Sequence, residues 1–363
     1  MSTRPILVMA GGTGGHVYPA LAVARALQAT SREVVWLGTR QGIESRVVPE
    51  AGIDIEWINV RGLRRKGVLA QLIAPLQLAW ALIQSLRVIL RCRPAAVLGM
   101  GGFVSGPGGI AAWLTRRPLI IHEQNAAAGL TNRLLARLAR VVLQAFPGSF
   151  NTNVGAETVG NPVREDIAAI APPAARYGER QGPMRLLVLG GSQGALALNR
   201  TVPAALALLD AECRPVVRHQ CGAKTLAVSQ AAYAQSNVEV ELLSFIEDMA
   251  EVYAWADLVV CRAGALTVAE LCAAGVPALF VPYPSAVDDH QTANAGPMVL
   301  AGAAAIIREA DLTAELLANF LGDWLQSRTT LRQRAEKARE LATPDALCRI
   351  TEVCLQQAGR SHD

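Results

Sequence analysis

Short runs of consecutive apolar residues alternate with longer stretches of helical periodicity from one end of the chain to the other. Ile6-Leu7-Val8-Met9-Ala10, Val34-Val35-Trp36-Leu37, Ala96-Val97-Leu98 and Leu119-Ile120-Ile121 are apolar at successive positions. Strands of that kind are buried on both faces, which is how parallel sheets read. The second half repeats the pattern at 186–189, 215–217, 238–240, 258–260 and 278–281. Strands and helices in alternation predict an α/β class. Between the halves, 160–185 holds Pro162, Pro172, Pro173, Gly178, Gly182 and Pro183, a composition suited to an interdomain connection. Thr343-Pro344-Asp345 predicts an N-cap with proline at the first helical position, opening a last helix that runs to about Gln357.

Two of the predicted strands run straight into glycine loops. The first is followed by Gly11-Gly12-Thr13-Gly14-Gly15-His16, and the strand at 186–189 by Gly190-Gly191-Ser192-Gln193-Gly194. Glycines let the backbone approach an oxyanion, and the helix start beyond supplies N–H groups and the positive end of a dipole. The first loop lacks the Gly-Lys-Ser/Thr of a nucleotide triphosphate loop. It also carries Val17 where a dinucleotide fingerprint needs glycine or alanine, and no acid follows at Leu37-Gly38-Thr39. A nicotinamide enzyme is therefore not expected, and no other cofactor is indicated. His16, at the loop's exit, is a candidate to accept a proton or bind a phosphate.

Further polar or glycine-rich segments follow strands. The cluster at 99–109 reads either as a second backbone cradle or as close helix–sheet packing. His122-Glu123-Gln124-Asn125 stands at a strand's carboxyl end, where open α/β sheets take ligands, and Glu123 is a second candidate base. In the second half, Cys261-Arg262-Ala263-Gly264-Ala265 joins strand to helix, and Glu270 one turn later is suited to a ribose diol. Asp288, Asp289 and His290 are adjacent and cannot converge easily on one ion, so no metal site is expected.

With 363 residues, 52% of them hydrophobic, two domains each with its own core are expected. Seven scattered cysteines, an odd number, read as reduced thiols. The first strand begins too close to Met1 for a signal peptide. The net charge of +4 is unevenly spread: no Asp or Glu occurs from Trp57 to His122, while Arg61, Arg64, Arg65, Lys66, Arg87, Arg91, Arg93, Arg116 and Arg117 do. Nucleic acid and an anionic membrane both suit such a stretch. The uncharged segment 67–86 favours the membrane, since it carries Leu72, Leu76, Trp80 and Ile83 beside a basic cluster. Gln77, Gln84 and Arg91 share one helical stripe, and Pro75 is expected to start the helix rather than sit inside it, so a transmembrane span is rejected. A core helix with a solvated basic edge has the same pattern.

Six motifs occur in order: 11–17, 99–109, His122-Glu123-Gln124-Asn125, Gly160-Asn161-Pro162-Val163-Arg164, 190–195 and 264–270. Together they resemble the MurG family, bacterial N-acetylglucosaminyltransferases that convert lipid I to lipid II in peptidoglycan synthesis. The resemblance implies a GT-B fold of two Rossmann-like parallel-sheet α/β domains separated by a cleft. Residues 1–162 plus 343–363 would form the acceptor and membrane-associated domain, and 163–342 the UDP-sugar-binding domain. It implies an inverting hexosyltransferase that moves GlcNAc from UDP-GlcNAc to the C4 hydroxyl of the muramoyl sugar of lipid I. His16 would be the first candidate base and Glu123 the second. Donor contacts carried over are Thr13, Gly14, Gly15, Asn125, Arg164, Ser192, Ile246 near uracil, then Ala265, Leu266, Thr267, Val268, Ala269, Glu270 and Gln291. The implied setting is the cytoplasmic face of the bacterial inner membrane, with an anionic lipid surface and other cell-wall synthesis proteins as partners and no nucleic acid. His290 stands where many relatives have glutamine, and Ala263 where a serine is frequent. Another UDP-sugar lipid glycosyltransferase, a nucleotide-sugar 2-epimerase and a non-catalytic UDP-sugar-binding membrane adapter are the competing readings.

Overall fold

The computed structural model describes residues 4–60, 68–178, 180–191, 194–284 and 289–360, and for 68–73 the backbone alone. Two compact units are present, Met1–Val163 with Thr343–Asp363, and Arg164–Ala342.

The first unit is built on β1 (Ile6–Met9), β2 (Val34–Gly38), β3 (Asp54–Trp57), β4 (Ala96–Gly99), β5 (Leu119–Glu123), β6 (Val141–Gln144) and β7 (Glu157–Thr158). They form a parallel sheet in the order β3-β2-β1-β4-β5-β6-β7. The register places Ile6 beside both Val34 and Ala96, so alternate residues of neighbouring strands share a face. Ile6, Val8, Trp36 and Leu98 enter one core with the helix Gly14–Ala29, while Leu7, Met9, Leu37 and Val97 enter another with Ile89 and Ala111. Both faces are covered, which is why these strands are apolar at every position. The last helix, Ala346–Gly359, adds Ile350, Val353, Cys354 and Ala358 to the first of these cores. The chain returns for it beside Gly160, which has φ +86° and no room for a side chain: an added Cβ would lie 2.0 Å from Thr343 Oγ1. Asp345, rather than Thr343, caps this helix.

The second unit repeats the scheme with β8 (Arg185–Leu189), β9 (Val216–Gln220), β10 (Glu241–Leu243), β11 (Leu258–Cys261), β12 (Ala278–Phe280) and β13 (Ala304–Ile306) in the parallel order β10-β9-β8-β11-β12-β13. Its core joins Leu186, Val188, Val260 and Leu279 to Leu198 and Val202 of the helix Leu196–Ala207.

Two further expectations change. The strand expected at 238–240 lies at β10, because ladder pairing on this edge begins only where Glu241 meets Arg218, whose side chains are also paired at 2.7 Å. Val238 and Val240 still pack on the core as the approach to it. Pro75 sits inside the helix Val68–Cys92 rather than at its start. Proline there removes one donor from the helix ladder, and residues 75–80 are exposed. No helix among the described residues is long and apolar enough to cross a membrane. The cluster Arg61, Arg64, Arg65 and Lys66 lies outside the described residues, as do Ser192 and Asp288, and the side chain of Leu72 is not described.

Candidate active site

In each unit the strand order reverses direction between two central strands, β1 and β4 in the first, β8 and β11 in the second. The carboxyl ends of such a pair diverge and leave a crevice where open α/β sheets take ligands. The predicted glycine loops are the segments that leave these four strands.

In the first unit the two loops touch. A Cβ at Gly102, φ +82°, would lie 2.2 Å from the Gly11 carbonyl oxygen, and Met100 N–H donates to Met9 O at 2.8 Å. Of the 99–109 cluster, Gly101 and Gly102 therefore serve the loop contact. Gly108 and Gly109 serve packing, since added Cβ atoms would lie 2.3 Å from Met9 Sδ and 2.7 Å from Leu135 Cδ2. Two residues that the sequence did not single out hold the first loop. Trp36, fully buried, donates Nε1–H to Ala10 O at 2.9 Å. Glu44, also fully buried, accepts from Gly12 N–H at 2.9 Å, Thr39 N–H at 3.0 Å and Thr39 Oγ1–H at 2.7 Å. Glu44 opens the helix Glu44–Glu50, so in sequence it resembled any acid in a first helical turn.

Thr13 caps the helix Gly14–Ala29 by conformation only, with no side-chain bond, leaving Thr13 and Gly15 exposed, Gly14 half-buried and His16 in the first turn. His16 Nδ1 stands 3.1 Å from Gln124 Oε1. Gln124 Nε2 donates to Met100 O at 3.0 Å and lies 3.3 Å from His122 Nδ1, and His122 Nε2 lies 2.9 Å from Gly160 O. His122 is fully buried, and burial pushes its imidazole down to about 4 against the opposing effects of the Gly160 bond and the Glu123 charge. Glu123 points elsewhere. Its buried carboxylate accepts from the backbone and side-chain N–H of Asn125 at 3.0 and 3.1 Å, Gly129 N–H at 3.1 Å and Asn132 Nδ2–H at 2.9 Å. It thereby fixes the loop that carries Asn125.

In the second unit Glu270, half-buried in the helix Ala265–Ala274, accepts from Tyr253 O–H at 3.0 Å. Burial raises its carboxyl above the ordinary range, while Tyr253 and nearby Arg164 oppose the shift. Arg164 is half-exposed, caps the helix Glu165–Ala168 and lies 3.8 Å from Asp166. Gly264 caps the helix of Glu270 without a side chain, which leaves the turn of Ala265, Leu266, Thr267 and Val268 to present backbone, with Ala269 half-buried behind it. Asn294 Nδ2–H holds the Ala263 carbonyl at 3.1 Å. Gln291 Oε1 accepts from Tyr283 N–H at 2.9 Å and so ties down the loop after β12. Ile246 is buried on the segment between β10 and the helix Met249–Trp255. Behind the loop after β8, His219 bridges Asn199 Oδ1 at 3.0 Å and Tyr233 O–H at 2.9 Å, and Asn199 Nδ2–H reaches Cys221 O at 3.0 Å. No cluster of three metal-ligating side chains occurs among the described residues.

Residues 6–144 match the glycosyltransferase family 28 N-terminal domain and residues 185–350 the family 28 C-terminal domain. A curated relative from Alkalilimnicola ehrlichii, UDP-N-acetylglucosamine--N-acetylmuramyl-(pentapeptide) pyrophosphoryl-undecaprenol N-acetylglucosamine transferase, is 58% identical over 98% of this chain and 99% of its own length. The chain belongs to the MurG family. A solved MurG structure from Acinetobacter baumannii is 42% identical, covers 97% of this chain and 99% of its own, and superposes with a TM-score of 0.86. The glycosyltransferase of kitacinnamycin, at 18% identity over 98% of this chain and 99% of its own with a TM-score of 0.71, shares the GT-B fold. Membership of the MurG family makes the chain an N-acetylglucosaminyltransferase.

Proposed function

We propose that this chain transfers N-acetylglucosamine from UDP-GlcNAc to the C4 hydroxyl of the N-acetylmuramoyl sugar of lipid I, forming lipid II. The observation that carries the reading is His16, a titratable group at the start of a helix where two glycine loops meet at the sheet's switch point. His16 takes the proton of the C4 hydroxyl as its oxygen attacks the anomeric carbon. The carbon–oxygen bond to the diphosphate breaks on the opposite face, UDP leaves, and the configuration inverts. The developing charge on the diphosphate is met by the helix start at Ala265 and by Arg164, and preorganised donors of this kind are typically worth about 3–4 kcal/mol each. Glu270 holds the ribose diol, and Glu123 acts through the loop of Asn125. The test is transfer of radiolabel from UDP-GlcNAc to purified lipid I, with UDP-glucose and diacylglycerol as alternative donor and acceptor. Transfer confined to UDP-GlcNAc and lipid I supports the reading, and transfer to diacylglycerol overturns it.

The lipid acceptor is met at an anionic membrane surface by the helix Val68–Cys92 of the first unit. Its polar stripe flanks the packed side: Gln84 Oε1 accepts from Asn59 N–H at 2.7 Å and the exposed Arg91 pairs with Glu56. Leu76, Trp80, Ile83 and Leu90 face outward, Leu76 at 72% exposure, and Trp113 and Leu114 of the helix Ser105–Leu114 are likewise exposed. Arg87 lies 5.5 Å above the Trp80 ring, a cation beside an amphipathic aromatic as in interfacial helices. Such a face supports a peripheral position, which the reading sets at the cytoplasmic side of the inner membrane.

A further inference from the structure

The hydrogen bonds around His16 fix which of its ring nitrogens carries the proton. The Gly160 carbonyl only accepts hydrogen bonds. His122 Nε2, 2.9 Å away, must therefore be the protonated nitrogen of that ring. Burial keeps the ring neutral, so His122 Nδ1 holds a lone pair. One terminal atom of Gln124 lies between that lone pair, at 3.3 Å, and the Met100 carbonyl, at 3.0 Å. Two acceptors on the same atom make it the NH2 group, so the other atom is the carbonyl oxygen. That oxygen stands 3.1 Å from His16 Nδ1, which must then be the donor. Gly101 leaves the space this requires, because a Cβ there would lie 2.6 Å from His16 Nδ1.

We infer that Gln124 is a positioning residue for the transfer reaction, holding neutral His16 as its Nδ1–H tautomer and leaving the Nε2 lone pair to take the acceptor's proton. The inference rests on the reading of His16 as the base. The amide oxygen accepts the same Nδ1–H bond before and after Nε2 gains a proton, so the ring keeps its orientation through the step. A triad carboxylate sets tautomer and orientation in the same way. Here the holding group is neutral, and it is aligned by an all-acceptor backbone frame at Met100 and Gly160.

Nitrogen-15 spectra of histidine-labelled protein read the tautomer without reference to activity. In the unaltered chain near neutral pH, His16 is expected with Nδ1 protonated and Nε2 bare, and the reverse pattern overturns the proposal. Gln124→Met keeps the length and removes the acceptor. It is expected to shift His16 towards Nε2–H and to lower kcat with a soluble lipid I analogue by roughly 10- to 1,000-fold, less than the loss of the base itself, at unchanged KM for UDP-GlcNAc. A folded Gln124→Met with unaltered His16 tautomer or unaltered kcat overturns it. His16→Ala separates the two readings. If that variant turns over normally, the assignment of the base fails. If it is inactive while Gln124→Met is normal, only the role of Gln124 fails.

Discussion

Lowering the pH is expected to destabilise the first unit by titrating His122. The imidazole has an ordinary value of about 6.5 in an unfolded chain and is pushed down to about 4 in the folded one by burial. Between these values the unfolded chain binds a proton that the folded chain refuses. Stability from this group is thus complete above about pH 6.5 and is lost as the pH falls towards 4, at about 1.4 kcal/mol per pH unit. The whole window is worth about 3 kcal/mol. His122 is fully buried, so solvent does not screen its charged form. The assay is urea denaturation followed by tryptophan fluorescence from about pH 7.5 to about 4.5. Trp36, Trp57, Trp80 and Trp113 belong to the first unit. Carboxylates also lose native partners towards the acid end, so the comparison is with His122→Asn, which retains an amide for Gly160 or Gln124 and does not titrate. The variant is expected to be less stable near neutrality but to have the shallower pH dependence. Equal slopes in the two proteins would refute the reasoning, because the proton uptake would then lie elsewhere. His219 opens a similar window in the second unit, from about 6.5 down to about 3.

His16→Ala is expected to lower the transfer rate by about 10²–10⁴-fold while leaving UDP affinity intact, as read by turnover at saturating substrates and by calorimetry. Glu270→Ala is expected to weaken UDP binding by roughly 1–3 kcal/mol, since it leaves both the ribose hydroxyls and Tyr253 O–H without their acceptor; unchanged affinity in titration calorimetry would remove Glu270 from the site. Glu44→Gln sets an NH2 group against either Gly12 N–H or the two donors of Thr39, and should cost about 1–3 kcal/mol in thermal or urea denaturation; wild-type stability would show that the carboxylate does not hold the loop. Replacing Leu76 and Trp80 by serine should abolish the salt-resistant part of co-sedimentation with anionic vesicles yet spare transfer to a soluble acceptor, and undiminished binding would place the contact elsewhere.

The parallel sheets were legible because their strands are apolar on both faces, a pattern that packing on two sides demands. β3 and β10 were less so, since each lies at a sheet edge, pairs on one side only and carries Asp54, Glu56 or Glu241 within it. The glycine loops could be read from composition, but not the division of labour within them. That Gly101 and Gly102 face another loop while Gly108 and Gly109 face Met9 and Leu135 depends on contacts between elements far apart in sequence. The same holds for Glu44, Gln124 and His219. Glu44 and His219 take partners distant in sequence, Gly12 and Asn199, and Gln124, although its motif stood out, meets His16 and Met100 only in the fold.

The helix Val68–Cys92 carries a polar stripe and, beside it, an apolar face that the first unit does not cover. Gln77, Gln84 and Arg91 form a polar stripe, and in an ordinary surface helix such a stripe faces water. Gln84 and Arg91 bond Asn59 and Glu56 at the flank of β3 while Arg91 keeps 65% of its side chain exposed, and Ala81, Ser85, Val88 and Ile89 fill the packed side. Leu76, Trp80, Ile83 and Leu90 are then left on the outside. A helix with polar partners inside its own unit and large apolar side chains outside is stable in water only at the expense of exposed apolar area, at about 25 cal/mol per Å². A lipid surface that covers those side chains returns that free energy, so the arrangement disfavours the free state and favours the bound one. The salt-resistant fraction in the vesicle assay measures this contribution, because screening by salt removes the attraction of the surrounding cations and leaves the apolar contact.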